Sequence, residues 1–352
     1  MAADTPKPFG RRDSAFGRRK AVSLSQSDLV RIEPLQADNP LPLLIEPTVA
    51  GVDLIAWLDQ NRELVMRELA TYGGILFRNF AISQEQFKDF MIAVSGELLT
   101  DPTRTALRSD TNKVYISTEF PAERNIFHHN ETWWQYTWPM KIFFYCHTAP
   151  AQGGSTTIAD CRKVLARLDP SITRPFIEKG VLCVRNFGTH FGRPWQEIFQ
   201  TDNREAVEAF CRSYQIEYQW LGGERMRTRH IRPVIAKHPH SGEEVWFNHV
   251  AHYHVTTNIE PHVREALLAE VGDENAPVNT YYGDGTPIDP AVVDAIREAY
   301  DRETIAFPWQ EGDLMMLDNM LVAHGRSPYT GPRKILVGMT ELTSWNDIGQ
   351  AV

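Results

Sequence analysis

The chain has 352 residues, of which 42% are hydrophobic and 23% charged. These are the proportions of a globular chain with a sizeable core, and they exclude a disordered, fibrous or membrane-embedded one. A formal charge of −9 offers no positive field to a phosphate backbone, so no nucleic-acid partner is expected.

Residues 1–25 carry six basic side chains (Lys7, Arg11, Arg12, Arg18, Arg19, Lys20) against Asp4 and Asp13, with the tetrapeptide FGRR at 9–12 and again at 16–19. Too few apolar residues are present to bury, so this reads as a flexible basic arm. Pro6, Pro8, Gly10 and Gly17 interrupt the amphipathic helix that a transit peptide needs. The segment also lacks a signal-peptide core, and nothing downstream approaches the ~18 apolar residues of a membrane span. Cys146, Cys161, Cys183 and Cys211 show no C-x-x-C spacing, which points to a reducing, cytoplasmic setting without disulfides or zinc fingers.

From Asp53 onward Leu54, Trp57, Leu58, Val65, Leu69 and Tyr72 recur at helical spacing and stop at Gly73-Gly74. A buried strand is expected over Ile75–Arg78. Ser83 and Gln86 form a capping-box pattern ahead of a second helix carrying Phe87, Phe90, Met91 and Val94. After Lys113 the texture changes to short strands: Val114–Ser117, Ile142–Thr148, Thr156–Ile158, Val181–Phe187, Val234–Lys237, Val245–Asn248, Asp313–Leu317 and Ile335–Leu342. Helices are expected near 161–168, 204–213, 261–270 and 291–300, as insertions between strands. An antiparallel barrel or jelly roll fits this order better than a doubly wound sheet.

In Phe127-His128-His129-Asn130-Glu131, the i and i+2 positions of an extended strand put His129 and Glu131 on one face and turn Asn130 away. His324, after a strand that ends in a turn, supplies a third ligand type. Two imidazoles and a carboxylate suit a non-haem Fe(II) site with open positions. A zinc hydrolase uses similar ligands, and at this point remains the rival. An arginine available to clamp a dicarboxylate, nine residues after His324, favours iron.

The strings HHNETWW (128–134), PMKIFFYCHTAPAQGGSTTIADCRKVLARLDP (139–170) and GDLMMLDNMLVAHGRSPYTGPRKILV (312–337) resemble the TauD/TfdA family of Fe(II)/2-oxoglutarate dioxygenases, in its SyrP-like and clavaminate-synthase-like branch. The resemblance spans roughly residues 70–345, leaving out the arm and the first helix. It implies a mainly β fold with α insertions, a double-stranded β-helix (jelly roll) core flanked by helices. The domains expected are the arm at 1–25 and one dioxygenase domain at 26–352, with a lid or substrate insertion at about 181–284.

By the same resemblance His129, Glu131 and His324 match the catalytic iron triad, Glu131 standing where the wider family has aspartate. Thr156 of the GG-x-T motif and Arg333 match the groups that bind 2-oxoglutarate; because the stretch after His324 is shorter than in the taurine enzyme and neighbouring strand positions face opposite sides, either Arg333 or Lys334 could face the cavity, and Arg333 is the choice. The cofactor set is Fe(II), 2-oxoglutarate and O2. The implied reaction is hydroxylation of an amino acid, free or on a peptidyl carrier protein, in natural-product biosynthesis, with succinate and CO2 as coproducts. A carboxylate at position 131 argues against halogenation, which needs that metal position vacant, while desaturation, cyclisation and epoxidation stay open because substrate pose decides among them. Lack of the taurine enzyme's second arginine, where Ile335-Leu336-Val337-Gly338-Met339 stands, argues against a sulfonate. Asn248, Trp133, Trp134 and Arg326 are the candidate substrate contacts. His249, His252 and His254 are read as polar pocket or surface histidines rather than ligands, although His252 and His254 could share a strand face. A non-catalytic jelly-roll binding protein is the alternative from another class. Oligomeric state is not legible.

Overall fold

In the computed structural model, residues 29–100, 114–117, 120–188, 192–259 and 261–348 are described; the basic arm expected at 1–25 lies outside them. Strands Thr137–Thr148, Leu314–Asp318 and Lys334–Ser344 are buried at most positions because both faces of their sheet are covered. Phe143, Tyr145, Leu314, Met316 and Leu336 pack outward with Trp57, Leu58, Phe87, Phe90 and Met91 of helices Leu54–Tyr72 and Gln84–Ser95. The alternate residues Ile142, Phe144, Cys146, Met315, Leu317, Ile335 and Val337 face the other way, into a core shared with Ile158, Ala159, Val322 and Ala323. Each large apolar side chain removed from water there contributes about 1.5–3 kcal/mol.

The large sheet has seven strands, in the order Val30–Gln36, Asn39–Pro47, Gly74–Phe77, Leu314–Asp318, Thr137–Thr148, Lys334–Ser344, Tyr115–Ile116. Across the inner core a three-stranded sheet runs Ile126–His129, Val322–Arg326, Thr156–Asp160, with the His324 strand in the centre. Together these sheets make the jelly roll, open rather than closed as a barrel.

Helix Leu54–Tyr72 begins at Asp53, whose carboxylate accepts from the Ile55 and Ala56 N–H groups, and ends at left-handed Gly73. It carries the chain between two parallel neighbours, Asn39–Pro47 and Gly74–Phe77. That is the crossover connection parallel strands need. The Ser83–Gln86 capping box forms as expected.

Val30–Gln36 and Asn39–Pro47 escape the sequence reading because Pro34, Pro40, Pro42 and Pro47 punctuate them. Such proline content is tolerated at a sheet margin, where ladder donors are dispensable. Segment 181–284 supplies all four strands of a further sheet, ordered Glu217–Trp220, Met226–Arg232, Val181–Phe187, Val278–Tyr282. The strand expected at Val245–Asn248 ends at Trp246, and a short helix follows at Val250–Tyr253. His252 and His254 therefore do not share a strand face.

Candidate active site

Strand pairing brings the distant ligand candidates together. His324 is the cross-strand partner of His129, and their ring centroids lie 4.4 Å apart. Glu131 stands two residues beyond the end of its strand, with Thr132 after it in the left-handed region at φ 55°. It reaches the same place by a turn rather than by strand alternation. Its carboxylate oxygen lies 3.6 Å from His324 Nε2. Nitrogen or oxygen atoms of His129, Glu131 and His324 all fall within 4.8 Å of one another, the one such grouping among the described residues.

Asn319, absent from the sequence reading, fixes that turn. Its side-chain oxygen accepts from the Glu131 N–H at 2.7 Å, and its amide nitrogen donates to the carbonyls of Glu131 at 3.0 Å and Pro139 at 2.9 Å. The side chain of Asn130 points away from the site, as expected, and donates to the Asn319 carbonyl at 2.7 Å. Asp318 accepts from the N–H groups of Met320 and Leu321, and its other oxygen bonds buried His238 at 3.0 Å. A chain of contacts thus runs from His238 to the backbone of Glu131.

The residues present fit a divalent metal. His129 donates from Nδ1 to the Phe127 carbonyl at 3.0 Å, which leaves Nε2 as the lone-pair nitrogen. Burial, then His324 and His252, pushes the His129 imidazole well below its ordinary range, so it is neutral as a ligand must be. A buried carboxylate among imidazoles is a site for a cation.

A cavity of about 490 Å³ opens beside the three side chains, large enough for two small molecules. His129, His324, Phe144, Thr156, Arg326 and Arg333 are among the residues that line it. Arg333 rather than Lys334 faces inward. Its Nε donates to the Gly154 carbonyl at 2.9 Å, and burial, then neighbouring Arg326, pushes its guanidinium down to about 10, still charged at neutral pH. Gly154 sits at φ 65°, and a Cβ there would come within 2.7 Å of Pro150 and 3.1 Å of Arg333, so this position of the GG-x-T motif requires glycine. Thr156 accepts from Trp309 Nε1 at 3.2 Å, which leaves the hydroxyl proton for a ligand.

The substrate candidates need correction. Asn248 does not line the cavity: its amide donates to the Val234 carbonyl at 3.0 Å and its oxygen accepts from the Val250 N–H at 3.0 Å. Trp133 is fully buried against His230 and His249, away from the cavity wall. Trp134 is also buried and lies under the guanidinium of Arg185. Arg326 does line the cavity, but its terminal nitrogens donate to the carbonyls of Phe120, Pro121 and Arg124; it anchors the segment over the mouth. His252, read from the sequence as a pocket or surface histidine, lines the cavity, and so does Tyr253, which the sequence reading did not single out. His252 donates from Nδ1 to the Phe127 carbonyl at 3.2 Å, and burial pushes it down to about 4.

An open jelly roll with two imidazoles and a carboxylate converging beside a cavity is an arrangement suited to a mononuclear metal centre. The sequence model described as "Taurine catabolism dioxygenase TauD, TfdA family" matches residues 32–340, and the chain belongs to that family. The match takes in the first helix, which the sequence reading had left outside. The protein is accordingly a 2-oxoglutarate-dependent dioxygenase that uses Fe(II), 2-oxoglutarate and O2, and the zinc-hydrolase and binding-module alternatives give way.

Among its relatives, the dapdiamide synthesis protein DdaC of Enterobacter agglomerans is 40% identical over 88% of this chain and 94% of its own. A clavaminate synthase-like protein of Arabidopsis thaliana is 27% identical over 88% of this chain and 92% of its own. Among solved structures, PvcB, described as an Fe, alpha-ketoglutarate dependent oxygenase from an isonitrile synthetic pathway, superposes with a TM-score of 0.53. It does so at 16% identity, covering 90% of this chain and 93% of that one, a likeness of fold. No helix among the described residues is long and apolar enough to cross a membrane.

Proposed function

We propose that the protein hydroxylates an amino acid, free or tethered to a carrier protein, in natural-product biosynthesis, releasing succinate and CO2. His129, Glu131 and His324 hold Fe(II) in this reading, and Thr156 and Arg333 hold 2-oxoglutarate. The observation that carries it is the meeting of two imidazoles and one buried carboxylate within 4.8 Å on the wall of a cavity that also contains Arg333. The similarity to a dapdiamide synthesis protein supports the biosynthetic setting.

Bound there, Fe(II) with 2-oxoglutarate supplies O2-driven oxidation of an unactivated C–H bond. The chain's own part is positioning. Arg333 offers a planar fork suited to a carboxylate. Thr156 offers a hydroxyl proton. Phe144, Phe120 and Ile126 make the wall apolar and keep water from the reacting carbon. Glu131 would occupy the metal position that halogenation needs, which disfavours halogenation; substrate pose decides between hydroxylation, our reading, and desaturation, cyclisation or epoxidation. We assign residues 26–352 to one domain, in which 181–284 acts as the lid over the substrate.

Anaerobic addition of Fe(II) and 2-oxoglutarate is the first test, since the pair bound together gives a weak visible charge-transfer band. No band in wild type, or an undiminished band in Glu131→Ala, overturns the site assignment. The second test compares succinate release with free amino acids and with a loaded carrier protein. Stimulation by the carrier alone supports the tethered form, equal turnover of the free amino acid rejects it, and no stimulation by either rejects the amino-acid substrate.

A further inference from the structure

Among the described residues the cavity wall contains three arginines, and apart from Glu131 beside His129 and His324 it contains no aspartate or glutamate. In the reading above Arg333 is taken by 2-oxoglutarate. Arg326 is committed to three backbone carbonyls, and Arg193 pairs with Glu197 at 3.1 Å. A further guanidinium adjoins the same wall. Arg185, on strand Val181–Phe187, is the cross-strand partner of Val278. Residues directly opposite in an antiparallel pair project on one face, and Val278 lines the cavity.

The Arg185 side chain lies among three aromatic rings, 5.0 Å from the centroid of Trp134, 5.2 Å from Phe187 and 5.9 Å from Tyr253. Tyr253 is itself a wall residue. Short steps connect this niche to the triad, because the rings of Tyr253 and His252 are 5.1 Å apart and those of His252 and His129 4.6 Å apart. The rings hold the planar group without using its N–H donors, and no carboxylate among the described residues pairs with it. A partly buried guanidinium, flanked by aromatic rings, without a carboxylate partner among the described residues and on the sheet face that carries the wall residue Val278, is arranged to receive an oxyanion.

We propose that Arg185 is the substrate's anion subsite, binding a carboxylate at the end of the substrate remote from the oxidised carbon. The proposal rests on the dioxygenase site assigned above. It narrows the substrate to small carboxylic acids and makes the corresponding carboxamides poor ligands, since a site built to pair an oxyanion rejects the analogue lacking it.

The test uses full-length protein loaded with Fe(II) and 2-oxoglutarate without O2, titrated calorimetrically with the common L-amino acids and their N-acetyl derivatives, each as free acid and as carboxamide. The expected result is at least one acid that binds tenfold or more tighter than its amide. Arg185→Gln should reduce that preference to less than twofold, and Arg185→Lys should restore part of it. The affinity for 2-oxoglutarate, read from the visible band, should stay within twofold in both variants. Acid and amide binding alike in wild type, persistence of the preference in Arg185→Gln, or no binding by any acid overturns the proposal. Phosphopantetheine is compared with pantetheine in parallel; an Arg185-dependent gain from the phosphate, without any acid preference, would place the oxyanion on a tether and also overturn it. Loss of the band in wild type would instead refute the underlying site, so the two failures are distinct.

Discussion

Replacing Asn319 by alanine removes the acceptor for the Glu131 N–H and the donors to the Glu131 and Pro139 carbonyls, at 2.7, 3.0 and 2.9 Å. Asn319 is fully buried, so water does not replace those bonds readily. At about 1 kcal/mol or more for each group left without its partner, the apoprotein loses about 3 kcal/mol. The backbone of Glu131 is then free to rotate its carboxylate off the face shared with His129 and His324. Loss of outer-shell support of this kind lowers metal affinity by roughly 10–100-fold. Urea unfolding of the apoprotein measures the first quantity, and anaerobic Fe(II) titration followed by the 2-oxoglutarate band measures the second. A variant with lowered stability and iron affinity within twofold of wild type would refute the argument that Asn319 positions Glu131, leaving it a packing residue alone.

Arg333→Ala is expected to weaken 2-oxoglutarate binding by about 2 kcal/mol or more, roughly thirtyfold, with Arg333→Lys recovering part; equilibrium titration of the band checks it. Asp313→Ala strands the buried guanidinium of Arg78, which now donates to both carboxylate oxygens at 2.9 and 2.6 Å, and should cost about 3–5 kcal/mol in urea unfolding. Chelation of iron should leave the far-ultraviolet circular dichroism spectrum intact and lower Tm by a few degrees; global unfolding would show that the metal organises the fold.

Burial, then Arg297, pushes His254 down to about 4, whereas an unfolded histidine titrates near 6.5. The unfolded chain therefore binds more protons between these values, and stability falls as pH drops through that window. Tm measured from pH 7 to 4 should decline less steeply in His254→Asn; an unchanged slope would remove this histidine from the account.

Local signals were legible wherever one element carries its own boundary chemistry. Asp53 and Gly73-Gly74 bracket a helix and Ser83 with Gln86 starts another, whereas strand alternation said only that one of Arg333 and Lys334 faces the cavity, and the family motif with the carboxylate chemistry of arginine favoured Arg333. The triad was legible because its members occur in motifs whose order resembles a family. What stayed hidden depends on contacts across long separations. Asn319 meets Glu131 at a separation of 188 residues, and no local pattern marks it. Glu131 lies in a turn that strand periodicity cannot anticipate, and Trp133 and Trp134 are core residues despite their proximity in sequence to the ligands. His252 reached the cavity wall through a short helix where a strand was expected. Nearness in sequence to the ligands did not mark the cavity wall, to which Tyr253 and Val278 come from the 181–284 segment expected as an insertion.

His324 lies 193 residues after Glu131, and closing such a loop carries an entropic cost of roughly 4–5 kcal/mol plus a constant. A single metal ion need not meet that cost, because the hydrogen-bonded register between Val322–Arg326 and Ile126–His129 already places His324 opposite His129, and the core between the sheets holds that register. A one-residue slip would turn every side chain of the strand to its other face. Gly325 adds a further constraint: a Cβ there would meet the Ile126 carbonyl at 2.5 Å and the Thr157 hydroxyl at 2.8 Å, so the strand beside His324 tolerates no side chain. The imidazole pair is thus fixed by sheet geometry and the carboxylate by the Asn319 contacts, two independent supports for one coordination face. The cavity wall is drawn partly from the 181–284 segment, through His252, Tyr253 and Val278, so in the proposed reading substrate selection can vary without disturbing the oxidising centre.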